Sequence, residues 1–90
     1  MDLNEIRGII DGLDKEITAL LVKRMEVTKD VAAYKQANGL PVYHPEREKA
    51  VIEKVSALAG EEYAPYIAVI YQCLMDESKK NQEKWLEEHK

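Results

Sequence analysis

The 90-residue chain is poor in the side chains on which metal binding and nucleophilic catalysis depend. Its single cysteine, Cys73, cannot form an internal disulfide or a cysteine-rich metal site. With only two histidines, His44 and His89, a zinc enzyme or a Ser-His-Asp triad would be hard to build. Phenylalanine is absent and proline and glycine are scarce, which is typical of a helical protein rather than of a β-sandwich.

Long apolar runs and basic blocks are missing as well. The 17 acidic residues outnumber the 13 basic ones, and the resulting charge of −4 argues against nucleic acid or an anionic membrane as a partner. The longest apolar run, residues 66–71, is too short to span a bilayer. The first eight residues lack the basic and apolar regions of a signal peptide. We therefore expect a protein of the reducing cytoplasm.

What the chain does contain is helical periodicity. Apolar residues recur every three or four positions from Leu3 to Tyr34, and Asn38-Gly39 followed by Pro41 marks the end of this stretch. Two shorter periodic stretches follow, and no strand-like alternation occurs. The patterns predict one all-α domain over residues 1–90 with three helices, at about residues 2–37, 45–59 and 63–87.

The first predicted helix is too long for a compact monomer. It would measure roughly 52 Å, whereas a compact chain of this length has a radius of gyration of about 12 Å. A monomer of this size would also be only marginally stable. Its heptad-like apolar stripe therefore predicts an obligate dimer with the long helices packed together. The alternative is a helix broken near Gly8 or Gly12 within a monomeric bundle.

Polar residues occupy positions where the apolar stripes predict a buried face. Arg24 interrupts the first stripe, and Lys35 lies three helical turns further on, close to the same direction. Three others lie on inward positions of the second and third helices: Glu48, Ser78 and Gln82. Each alone has an ordinary explanation as a snorkelling, capping or hydrogen-bonded core residue. Together they favour a pocket for an anionic ligand that also carries a hydroxyl group, because unpartnered buried polar groups are costly.

Arg7 has suitable chemistry but a different position. It lies about 25 Å from Arg24 along the helix axis, so the two cannot hold one small ligand within a single chain. If the long helices pair antiparallel, Arg7 of one chain can reach the site of the other.

At these residues the sequence resembles the all-helical (AroQ-class) chorismate mutases over nearly its whole length. Each motif is weak alone, but their order and spacing together are specific. They are I-R-x-x-I-D-x-L-D at 6–14, L-L-x-x-R at 20–24, Lys35 before G-x-P at 39–41, P-E-R-E at 45–48 and S-x-x-x-Q at 78–82.

The resemblance implies an intertwined homodimer of three-helix chains with two identical sites. It implies conversion of chorismate, a small dianion, to prephenate on the route to phenylalanine and tyrosine. This rearrangement is concerted, so no metal or other cofactor is implied. Arg24 and Arg7 of the partner subunit would grip the two carboxylates, Ser78 would hydrogen-bond a carboxylate, and Arg47 would support the network from the edge.

The remaining roles concern the reacting bond and the ring hydroxyl. By resemblance, Lys35 and Gln82 would donate to the ether oxygen of the breaking bond, and Glu48 would accept from the hydroxyl. His44 also lies at the predicted binding site, where the family usually has aspartate. Histidine is not a preferred N-cap residue, so the change is expected to cost about 1 kcal/mol of stability.

Three other functions remain open from the sequence. The sequence also resembles the isochorismate pyruvate-lyases, which have the same fold, although Glu48 and Ser78 favour the mutase. A weakly active regulatory or interaction domain of an aromatic-pathway synthase is a second alternative. A plain helical dimerisation module is a third, and the inward polar residues argue against it.

Overall fold

The computed structural model describes residues 1–90 and consists of three α-helices without strands. The helices are α1 (Leu3–Ala37), α2 (Pro45–Ala59) and α3 (Ala64–Glu88). The predicted all-α, three-helix architecture is confirmed. No helix has a stretch that is both long and apolar enough to cross a membrane.

Helix α1 runs without interruption for 35 residues. The Asp2 side chain caps its first turn by accepting a hydrogen bond from the Glu5 amide at 2.8 Å. At its other end Gly39 has a φ of 63°, a left-handed conformation that glycine adopts without strain. The helix continues through both of its internal glycines, so the predicted alternative of a helix broken near Gly8 or Gly12 is wrong. The chain is accordingly elongated, with a longest dimension of 54 Å and a radius of gyration of 16.2 Å.

Helix α2 begins with Pro45 at its first position, where the missing amide hydrogen costs nothing. Glu46 and Glu48 lie in its first turn, near the positive end of the helix dipole. Its N-cap residue, His44, makes no side-chain capping hydrogen bond. The helix ends at Gly60, and a short turn leads into α3, where the Ile67 amide donates to the Tyr63 carbonyl at 3.0 Å.

Helix α3 is the central element of the chain. It packs against both α1 and α2, whereas α1 and α2 do not contact each other. The buried residues lie where α3 meets its neighbours, and half of them are polar: Thr28, Ala32, Leu74, Met75, Ser78 and Gln82. The chain therefore encloses a cleft, with α3 as its floor, rather than a large apolar core.

The N-terminal part of α1 extends beyond this cleft. Every residue from 1 to 22 is exposed, including the whole predicted apolar stripe of that segment. Leu13, Ile17 and Leu20 retain 50%, 52% and 66% of their accessible surface. Apolar surface of this extent on a folded chain is typical of a protein–protein interface.

Candidate active site

A pocket of about 290 Å³ lies between the C-terminal third of α1, the first turns of α2 and the middle of α3. This volume is close to the lower end of the range for small-molecule sites. Four valines and a methionine form the apolar part of the pocket wall. Seven of the eight residues predicted from sequence line the pocket: Arg24, Lys35, His44, Arg47, Glu48, Ser78 and Gln82. The cleft thus brings together residues of all three helices.

Arg24 is held in place by α3. Its guanidinium donates to the Ser78 hydroxyl oxygen at 3.0 Å and lies 5.9 Å from the centre of the Tyr71 ring. Ser78 in turn donates to the Leu74 carbonyl one turn earlier, at 2.8 Å. The serine hydroxyl therefore positions Arg24. The other guanidinium N–H groups remain available for a carboxylate.

Lys35 and Gln82 form the second polar pair of the pocket. The lysine ammonium donates to the Val42 carbonyl at 2.7 Å and to the Gln82 amide oxygen at 3.2 Å. Burial lowers the pKa of Lys35 below its usual range, and the nearby Glu48 carboxylate partly offsets this by raising it. The third ammonium N–H and the amide nitrogen of Gln82 have no partner in the chain, so two donors are free at neighbouring positions.

Glu48 is the one acidic side chain that lines the pocket. Its two oxygens accept from different residues of α3, Lys79 at 2.9 Å and the amide nitrogen of Gln72 at 3.2 Å. The Glu48 side chain is only 16% exposed. Each oxygen keeps a lone pair, so Glu48 can still accept a hydrogen bond from a ligand.

His44 and Arg47 border the pocket where α2 begins. Arg47 is exposed, at the rim. The Nε2 atom of His44 is buried and has no hydrogen-bond partner. An unsatisfied buried ring nitrogen carries a free-energy cost that a ligand hydroxyl or carboxylate could remove.

Arg7 is the predicted site residue that the chain does not bring to the pocket. It is exposed on the N-terminal part of α1 and makes no ion pair or side-chain hydrogen bond. Arg7 and Arg24 are 17 positions apart in the sequence, so they lie about 25 Å apart along α1, as expected from the rise of a helix.

Sequence reasoning missed three residues near the site. Thr28 and Lys79 line the pocket, and Gln72 contacts Glu48 from outside it. Thr28 lies four residues after Arg24 on the same helical face, a spacing that could have revealed it. Gln72 and Lys79 are seven residues apart and likewise share a face of α3, but nothing in their spacing names Glu48 as their partner.

The charges of the pocket are predominantly positive although the chain is acidic. Four cationic side chains line it, Arg24, Lys35, Arg47 and Lys79, against the single carboxylate of Glu48. Positioned cations with free donors in a partly desolvated cleft suit a small polyanion, because the local field is stronger there than in water.

Comparisons with known proteins agree with this chemistry. The sequence model of the family described as "Chorismate mutase type II" matches residues 6–83. The chain is 38% identical to the chorismate mutase of Methanocaldococcus jannaschii, over 96% of this chain and 89% of that protein. It is 34% identical to the bifunctional chorismate mutase/prephenate dehydratase of Aquifex aeolicus over 87% of this chain, but only 24% of that protein. The T-protein of Haemophilus influenzae is 43% identical over 57% of this chain and 14% of its own length.

Proposed function

The chain belongs to the type II chorismate mutase family and has its function, the conversion of chorismate to prephenate in aromatic amino acid biosynthesis; we propose that the pocket between its three helices is the active site and that a second copy of the chain completes it. The observation that carries this proposal is the convergence of Arg24, Lys35 and Gln82 with a single carboxylate, Glu48, in one cleft. Residues 1–90 act as one chorismate mutase domain.

The reaction needs orientation more than it needs reactive groups. Chorismate is a flexible dianion that rearranges only when its side chain folds over the ring into a chair-like conformer. Arg24 fixes one carboxylate through the guanidinium N–H groups that Ser78 leaves free. Holding the two reacting ends together in this way lowers the entropic part of the barrier. Arg47 adds positive charge at the rim.

Charge that builds up on the ether oxygen as its bond breaks is stabilised by Lys35 and Gln82. The free ammonium N–H and the free amide N–H support this role, since Lys35 is fixed by two hydrogen bonds within the chain and Gln82 by one. Preorganised donors of this kind favour the transition state over the ground state. Glu48 accepts from the ring hydroxyl, and His44 lies beside this contact.

The second copy supplies both a core and a missing cation. The exposed apolar stripe of α1 packs against the same stripe of another chain, which removes it from water. An antiparallel arrangement brings Arg7 of the partner subunit to the pocket of the first, where it binds the second carboxylate. A symmetric dimer then has two equivalent sites. The enzyme works in the cytoplasm, on a small dianion, and binds neither nucleic acid nor membranes.

Product identification tests the activity. The purified chain is incubated separately with chorismate and isochorismate, and the products are identified. Prephenate from chorismate is the expected result. Salicylate and pyruvate from isochorismate would instead indicate a lyase, and no turnover of either compound would leave a binding module.

Mixed dimers test the shared site. Arg7→Ala and Arg24→Ala chains should each be nearly inactive as homodimers. When the two are mixed and exchange, half of the dimers are hybrids, and each hybrid has one intact site. An equal mixture should therefore recover about a quarter of wild-type activity. A mixture that stays inactive although hybrids have formed would show that Arg7 does not act across the dimer.

A further inference from the structure

We infer that Lys79 is a positioning residue for the reaction: it holds the Glu48 carboxylate against α3 and thereby leaves the Lys35 ammonium free for the substrate. The inference rests on the proposed function, because it assigns a task within the same pocket. Lys79 was not among the residues expected from sequence, and it contacts Glu48 rather than presenting a free charge.

The contacts of Lys79 form a closed ring. Its ammonium lies 2.9 Å from Glu48 Oε2 and 3.3 Å from Asp76 Oδ1. The Gln72 amide nitrogen donates to the other oxygen of Glu48 at 3.2 Å and to the same Asp76 oxygen at 3.1 Å. Every member of the ring therefore has two partners, so one side chain cannot rotate without breaking contacts of its neighbours.

Helix geometry explains why α3 can supply three of the four members. Gln72, Asp76 and Lys79 are spaced by four and three residues, which places them in one row along the helix. Glu48 is the only member from α2, in its first turn. Side chains of this row thus bind the carboxylate of Glu48, and the contact joins α2 to α3 at the edge of the pocket.

Lys79 is fixed from a second side. Its ammonium lies 4.6 Å from the centre of the Tyr43 ring, in the segment that connects α1 to α2. Only 24% of its side chain is exposed. The hydrogen bond to Glu48 raises the pKa of Lys79 above its usual range, so this lysine stays charged wherever the enzyme is active.

The alternative partner for Glu48 is Lys35. The two line the same pocket, and the Glu48 charge already acts on Lys35 by raising its pKa against the effect of burial. A carboxylate that loses its cation in a partly buried site seeks another one, because the unpaired charge is poorly solvated. A direct Lys35–Glu48 pair would use up a donor intended for the ether oxygen and an acceptor intended for the hydroxyl. Lys79 prevents this pairing by holding Glu48 away from Lys35.

The neighbouring residue offers a matched control. Lys80 pairs with Glu77 at the same distance of 2.9 Å, but on the outer face of α3, where their side chains are 71% and 52% exposed. An exposed pair of this kind contributes little to stability. Lys79→Met and Lys80→Met therefore remove the same charge from adjacent positions, one inside the pocket and one outside.

The test is a double-mutant cycle. Lys79→Met and Lys80→Met are made in the wild-type and Glu48→Gln backgrounds, and kcat and KM are measured with chorismate. In the wild-type background we expect Lys79→Met to lower kcat about tenfold with little change in KM, because the lost interaction belongs to the transition state. Lys79→Arg should restore most of the activity, and Lys80→Met should leave both constants unchanged.

In the Glu48→Gln background Lys79→Met should have no further effect, because the carboxylate that it restrains is gone. A similar loss in both backgrounds, or full activity of Lys79→Met in the wild-type background, would overturn the inference while the proposed function stands. Absence of chorismate turnover by the wild-type chain would overturn the proposed function and this inference with it. If Lys79→Met does not fold, Lys79→Gln takes its place, and circular dichroism identifies that case.

Discussion

The two parts of α1 are both helical, but they differ in burial and in their contacts with the rest of the chain. From Arg24 onward the helix lines a pocket, contacts α3 and contains the buried Thr28 and Ala32. From Leu3 to Val22 the same helix is exposed on all sides and makes no side-chain hydrogen bond to α2 or α3. The C-terminal half packs against α3, whereas the N-terminal half presents apolar residues that nothing in the chain covers.

This difference shows that site and stability come from different contacts. The pocket is built from polar contacts between helices, which contribute only modest net stability. Burial of apolar surface is the main favourable term in folding, and the N-terminal half of α1 leaves its apolar side chains exposed. We therefore expect that a single chain defines the geometry of the pocket and that the proposed second chain stabilises it.

The largest expected effect comes from a charged substitution in the exposed N-terminal half of α1. Leu13→Asp places a carboxylate in the stripe where we propose that two chains meet. Burying an unpaired charge costs several kcal/mol, so we expect loss of the dimer and a fall in turnover of at least about 10³-fold. Sedimentation gives the mass, and chorismate consumption gives the activity.

Lys15→Asp is the control, because it introduces the same side chain on the same helix outside the stripe. It should leave mass and activity close to those of the wild type. If Leu13→Asp remained a fully active dimer, the apolar stripe would not be the interface.

A second prediction concerns the C-terminal half of α1, which lines the pocket, and in particular the charge of Lys35. Burial lowers the pKa of Lys35 below that of an ordinary lysine, about 10.4. Since we propose the charged form as the donor, kcat/KM should fall tenfold per pH unit above this lowered pKa. The alkaline fall in kcat should occur at a higher pH than the fall in kcat/KM, because the bound dianion favours protonated Lys35.

Gln82 donates at any pH, so it adds no pH dependence of its own to the activity. In Lys35→Arg the charge persists at all accessible pH values, so the alkaline limb should disappear even if the rate is lower. A limb that remained in this variant would assign the ionisation to another group.

The smallest expected effect is at the entrance to α2. His44 caps the helix without a side-chain hydrogen bond, and its Nε2 is buried without a partner. His44→Asp should add a capping acceptor worth about 1 kcal/mol, which corresponds to an increase in Tm on the order of 5 °C.

His44→Ala separates the two causes, because it removes the unsatisfied nitrogen without adding a cap. Thermal unfolding should rank His44→Asp above His44→Ala. An equal or lower Tm for the aspartate variant would reject the capping explanation.

Much of the pocket followed from violations of an apolar pattern. Arg24, Glu48, Ser78 and Gln82 were recognisable because each occupies a position where periodicity predicts an apolar residue. Lys79 gave no such signal, since it lies between Ser78 and Lys80 in a polar stretch. Its role depends on a contact with another helix, and helical spacing describes only contacts within one helix.

The three helices, their approximate lengths and the inward direction of most pocket residues could be predicted from the sequence, because periodicity, prolines and end signals act locally along the chain. It also implied that α1 is too long for its own domain. The pairings depend on how the helices pack: Arg24 with Ser78, Lys35 with Gln82, and Glu48 with Lys79 rather than with Lys35. Several charged or polar side chains could serve as partners with the same chemistry, and the position of α3 against α1 and α2 selects among them.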